Sequence, residues 1–127
     1  MSIRFAALKW FSSNYKEVGD PFYTSKYYLP EESWNKEHTW WLEIPLKLIE
    51  VMPEGYISFL CQVAPNENAF HYLKVPKKFL REHLQEFHLH GRKISLYLSP
   101  DNNMMFTERR GIGNLNFMNF LVANPNA

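Results

Sequence analysis

The sequence predicts an α+β fold: one domain over residues 1–127, a mainly antiparallel sheet of about five strands, and one main helix at about 77–89 packed on one face. Three observations carry that expectation. Phe79, Leu80, His83, Leu84 and Phe87 recur at helical spacing between Pro76, which suits a first helical turn, and Gly91, which suits a helix stop. Residues 56–63 and 69–75 are β-branched and aromatic runs flanking the turn cluster Pro65-Asn66-Glu67-Asn68, the pattern of a hairpin. Residues 93–98 alternate Ile94, Leu96 and Leu98 with Ser95 and Tyr97, the pattern of a half-buried strand.

In chain order, residues 3–11 are apolar with interspersed basic residues and are expected as a first strand, with a short helix as the alternative. Residues 12–37, rich in Ser, Asn, Gly, Pro and Tyr, read as a long aromatic-rich N-terminal loop holding Tyr23, Tyr27, Tyr28 and Trp34. A loop of that length points either to function or to hidden secondary structure. Residues 39–44 suit a strand ended by Pro45, which lacks a backbone donor. Trp40 and Trp41 are neighbours on that strand, so one ring enters the core and the other needs a different cover. Residues 46–51 suit a helical turn, 104–107 a last short strand, and 114–122 a short helix or a capping strand.

At 127 residues the chain has room for one core, and its 46% hydrophobic and 21% charged residues lie far from a disordered profile. Cys61 is the only cysteine, which excludes an intrachain disulfide; within an apolar strand it is expected to pack in the core. A cytoplasmic, non-membrane chain is expected, because the N-terminus lacks a signal-peptide pattern and no apolar run approaches the roughly 18 to 20 residues that span a bilayer.

The formal net charge of +1 conceals an asymmetry. Residues 1–72 hold six Lys and Arg against nine acidic residues, a balance of −3; residues 73–127 hold eight against four, a balance of +4. Lys77, Lys78 and Arg81 at the helix start, Arg92 and Lys93 beyond its end, and Arg109 and Arg110 in the Glu108-Arg109-Arg110-Gly111 corner are the candidate phosphate contacts, since guanidinium forks bind phosphate bidentately. Ordinary solubilising charge explains the same residues without a ligand. Trp34, Trp40 and Trp41, with Tyr27 and Tyr28, are the candidate stacking rings for bases.

Familiar catalytic and cofactor signatures are missing: no phosphate-binding glycine loop, no dinucleotide fingerprint, no nucleophile elbow, no zinc-protease motif and no Cys-x-x-Cys pair. No cofactor and no metal are therefore expected. His83 and His88 diverge by about 140° on a helix, which argues against a shared ion with His90. The leading expectation is a nucleic-acid-binding accessory module for DNA or RNA. A protein-interaction, inhibitor or adaptor domain using the exposed aromatics is the alternative. A small nuclease or hydrolase using Asp101, Glu108, Arg109 and a histidine, or Lys93 beside the two acids, is the third reading, with the balance leaning away from an enzyme.

Overall fold

The computed structural model describes residues 2–15, 19–51 and 54–123. Among them, three helices and seven strands in two mostly antiparallel sheets make one small α+β fold. The first element corrects the expected strand over 3–11. It is a helix, α1 (Ile3–Asn14), capped by the Ser2 hydroxyl, which accepts from the Phe5 N–H at 3.2 Å. Ile3, Ala6, Ala7, Trp10 and Phe11 share one helical face and bury against Leu60, Phe70 and Tyr72.

The expected hairpin is present as β3 (Tyr56–Gln62) and β4 (Phe70–Pro76), in register from Tyr56↔Pro76 to Gln62↔Phe70. β1 (Phe22–Ser25) joins β3 in parallel, and β7 (Leu121–Val122) joins β4 antiparallel, giving the order β1-β3-β4-β7. The expected long loop thus hides both the end of α1 and a strand. Residues 16–18 of it lie outside the described residues.

A second sheet has the order β2-β6-β5: β2 (Trp40–Pro45), β6 (Lys93–Leu98) and β5 (His88–His90). Trp40, Leu42 and Ile44 on β2 and Ile94, Leu96 and Leu98 on β6 join Ile57, Phe59, Cys61, Leu73 and Val75 of the first sheet in one core. The layers are therefore α1, the four-stranded sheet, the shared core, and the three-stranded sheet. Between the sheets, the Ser25 hydroxyl accepts from the Trp41 N–H at 2.8 Å, and Tyr28 and Thr39 exchange backbone bonds of 2.9 and 3.1 Å.

The expected single helix at 77–89 is corrected as well. After α2 (Lys47–Glu50), which fills the expected turn at 46–51, α3 runs only from Lys77 to Glu82. A single 3-10 turn, Leu84–Glu86, follows, and Phe87 enters the core rather than continuing a helical stripe. His88 to His90 then pair with β6, and Gly91, read as a helix stop, holds φ +62 in the two-residue link to Lys93. The apolar spacing that suggests a helix is shared here by a turn and a strand. The expected strand at 104–107 is reduced to isolated bridges, Leu98↔Glu108 and Thr107↔Asn116, because Phe106 adopts φ +64 and drives its ring into the core. Residues 114–122 supply both expected forms, a 3-10 turn at Met118–Phe120 and then β7.

Candidate functional site

Register decides which expected residues meet. On the three-stranded sheet the residues alternating with the core set are Trp41 and Glu43 of β2, paired with Tyr97 and Ser95 of β6, so these four share the outer face. Lys93 lies on that face too, about 13 Å from Tyr97 by strand rise. Two segments lie over it, the loop that carries Trp34 and the corner at residues 108–111, so Ser95 and Tyr97 are buried and β6, expected as a half-buried strand, is covered on both faces beyond Lys93.

Glu108 builds that corner. Its carboxylate is buried at 1% exposure and accepts from the N–H groups of Tyr97 at 2.8 Å, Arg110 at 2.9 Å and Gly111 at 2.7 Å. Gly111 fits because a Cβ there would meet the Glu86 carbonyl oxygen at 2.1 Å. The result aims Arg110 back over the sheet: its guanidinium donates to the Ser95 hydroxyl at 2.8 Å and lies 4.8 Å from the centroid of the Tyr97 ring. Arg110 has no carboxylate partner among the described residues. Arg109 turns the other way, to Glu37 at 3.7 Å and the Met104 sulfur at 2.8 Å, tying the corner to the Trp34 loop.

The Trp34 loop is braced by Ser33, which is 5% exposed. Its hydroxyl donates to the Glu37 carbonyl at 2.7 Å, lies 2.9 Å from Asn35 Oδ1, and accepts from the Glu37 N–H at 3.1 Å. Glu32 accepts from the Leu29 N–H at 3.1 Å and pairs with Lys26, and the Lys26 bond chiefly, then the Leu29 bond, holds its carboxyl below the usual carboxylate range. Trp34 itself is 78% exposed, and its indole makes no hydrogen bond or ring contact among the described residues. Trp41 is half-buried, with its indole N–H donating to Ser95 at 3.1 Å and Tyr28 tilted against it at 6.4 Å.

The expected set of ten residues is therefore divided. Trp34, Trp41, Arg109 and Arg110 come together, and Lys93 lies at the far end of their face. Trp40 is not a surface ring: it is fully buried, stacked on Phe106 at 5.2 Å, with its N–H donating to the Gln62 carbonyl at 2.8 Å. Lys77, expected on a solvent face, is 6% exposed, its N–H donating to the Gly55 carbonyl at 3.0 Å. Lys78 and Arg81 are exposed on α3, and Arg92 lies 3.9 Å from Glu50 of α2, at the end of the molecule where β2 and β4 run out into helices. One stripe of basic residues beside the rings is not what the fold provides.

Of the residues nominated for hydrolysis, Glu108, Arg109 and Lys93 do not converge. Glu108 is committed to three backbone donors, Arg109 is held by Glu37, and Lys93 lies roughly 17 Å along β6 from the Glu108 bridge. His83 pairs with Glu86, and His90 with Glu43 at 3.0 Å. Among the described residues no group of three or more His, Cys, Asp or Glu is placed to hold a metal, and no helix is long and apolar enough to cross a membrane. Cys61 is fully buried, and burial pushes its thiol pKa up. Hollows of about 450 and 620 Å³ on either side of α1 are lined by none of the ten expected residues.

Sequence reasoning missed Tyr97, Ser95, Lys26 and Glu32. The alternation in β6 already places Tyr97 and Ser95 opposite the core, on the side of Trp41, so that part was readable. The pairing of Lys26 with Glu32 depends on how an irregular loop folds back, and no periodicity announces it. No known family model, curated protein or solved structure matches the chain.

Proposed function

We propose that this chain is a recognition module that binds a segment of another protein on the outer face of its three-stranded sheet. The observation that carries this reading is Trp34: a 78% exposed indole, without a partner among the described residues, on a loop braced by buried Ser33. Around it stand Trp41, Tyr28 and Arg110, with Tyr97 buried beneath the Arg110 guanidinium. Trp, Tyr and Arg are the residues that dominate binding energy in protein interfaces, and a ring whose backbone is already ordered loses little entropy on binding. The charges argue the same way. Lys26 and Arg109 are paired with Glu32 and Glu37, so the face offers few unpaired cations to a phosphate chain.

Selection of a random peptide library on the folded protein tests the proposal. Enriched peptides should bind wild type and lose at least about 30-fold with Trp34→Ala, the size of an interface hot spot. Enrichment that ignores Trp34, or no enrichment, rejects it.

Nucleic-acid binding is the second reading, favoured by Arg110, whose guanidinium stacks on Tyr97 with no carboxylate partner among the described residues. It requires that single-stranded DNA or RNA quench Trp fluorescence with an affinity that falls steeply with salt. Salt-independent or undetectable binding removes it.

A further inference from the structure

Tyr28, Trp34, Trp41 and Tyr97 line one small crevice, with Glu32, Ser33 and Thr39 completing its wall. The crevice has a volume of about 30 Å³, enough for one or two waters. Two walls are fixed and one is not. Trp41 is held by its bond to Ser95, and Tyr97 is buried in a central strand, whereas Trp34 is exposed with no hydrogen bond or ring contact among the described residues, so a group larger than the crevice has to displace its indole.

The chain itself shows what these rings attract. Lys26 Nζ lies 4.9 Å from the Tyr28 ring centroid and pairs with Glu32, while the Arg110 guanidinium lies 4.8 Å from that of Tyr97. Two of the four rings thus already carry a cation. The two indoles, whose faces attract cations most strongly, carry none among the described residues. An acidic group stands at the rim in Glu32.

Three polar side chains of the crevice wall are already engaged, while the Tyr28 and Tyr97 hydroxyls and the Trp34 indole N–H make no hydrogen bond among the described residues. The Ser33 hydroxyl serves Glu37, the Thr39 hydroxyl lies 3.2 Å and 3.3 Å from the Trp40 and Leu98 carbonyls, and Glu32 serves Lys26 and Leu29. An unmodified lysine ammonium would bring three donors into a site whose remaining acceptors are the two phenol oxygens of Tyr28 and Tyr97. A fully methylated ammonium brings the same charge and no donor. We infer that this crevice is an aromatic cage for the trimethylated ammonium of a lysine side chain in a partner protein segment. The inference rests on the protein-recognition reading above and names the group that the face reads.

The test uses capped Nε-trimethyl-lysine, capped lysine, and the capped neutral analogue in which tert-butyl replaces trimethylammonium, each titrated against the full chain. The readout is the set of four indole N–H signals in NMR. The trimethyl probe should move the Trp34 and Trp41 signals saturably in the millimolar range and leave those of Trp10 and the buried Trp40 in place. Lysine and the tert-butyl analogue should each bind at least about tenfold more weakly, the tert-butyl gap being the part due to charge on the rings. Trp34→Ala should abolish the shifts and Trp34→Phe should restore part of them; Trp34 is exposed, so folding is not at issue.

Equal binding of the tert-butyl analogue or of lysine, or no saturable shift, overturns the cage. So does binding of phosphocholine vesicles in the absence of trimethyl-lysine binding, which would assign the crevice to a lipid headgroup. If the probes fail while library peptides still require Trp34, only the cage is lost; if both fail, the recognition reading falls with it.

Discussion

Adjacent on β2, Trp40 and Trp41 point to opposite sides of the sheet and do different work. Trp40 stacks on Phe106, meets His71 and Tyr27 edge-on, and satisfies its N–H on the Gln62 carbonyl. Trp40→Ala should cost about 3–5 kcal/mol in urea unfolding, the usual range for a fully buried large aromatic. Glu108 is the other residue on which much depends, since its carboxylate satisfies three backbone donors at once. Glu108→Ala would leave the N–H groups of Tyr97, Arg110 and Gly111 without that acceptor, at about 1–3 kcal/mol for each that water cannot reach. A total loss of about 3 kcal/mol or more is expected by chemical denaturation, together with loss of Arg110 from the ring face. A near-neutral result would show that the corner is held by other means.

Among the elements, the Trp34 loop is the one that turns local hydrogen bonding into a surface. Ser33→Ala removes the bonds to and from Glu37 and should cost about 1–2 kcal/mol while loosening the loop, seen as faster amide exchange at Glu37. Much of the element order was readable from sequence. The β3–β4 hairpin, β2 and β6 each follow from alternation or a turn cluster, and Trp40 and Trp41 were placed on opposite faces by strand geometry alone. α1 was readable but misread: Ile3, Ala6, Ala7, Trp10 and Phe11 after Ser2 are a capped helical stripe. β1 was not readable, because four residues pairing in parallel with a strand far along the chain leave no turn signal. β5 and Phe106 failed for a related reason, since tertiary packing overrode a local pattern. Of the residues nominated from sequence, the fold brings Trp34, Trp41, Arg109 and Arg110 together and sends Lys77, Lys78, Arg81 and Arg92 elsewhere.

Across the whole molecule, one core joins both sheets, and one histidine beside it links stability to pH. Burial lowers the His71 pKa from its ordinary value of 6.5, and its ring packs on Trp40 and Phe106. A lowered folded value means that the unfolded chain takes up this proton first. The stabilisation is therefore complete above about pH 6.5 and declines as pH falls through the folded value. His71→Phe keeps a ring in place and should flatten the fall in urea midpoint between neutral and mildly acidic pH; an unchanged slope would assign that fall to other groups. With the core on one side of the three-stranded sheet and the Trp34 surface on the other, folding and the proposed recognition are separable. The most direct test is Trp34→Ala measured for both properties. Unfolding free energy should stay within about 0.5 kcal/mol of wild type, as expected for a surface side chain, while binding of peptides selected on the native protein drops at least about 30-fold. Peptide binding that survives the substitution unchanged would contradict the account.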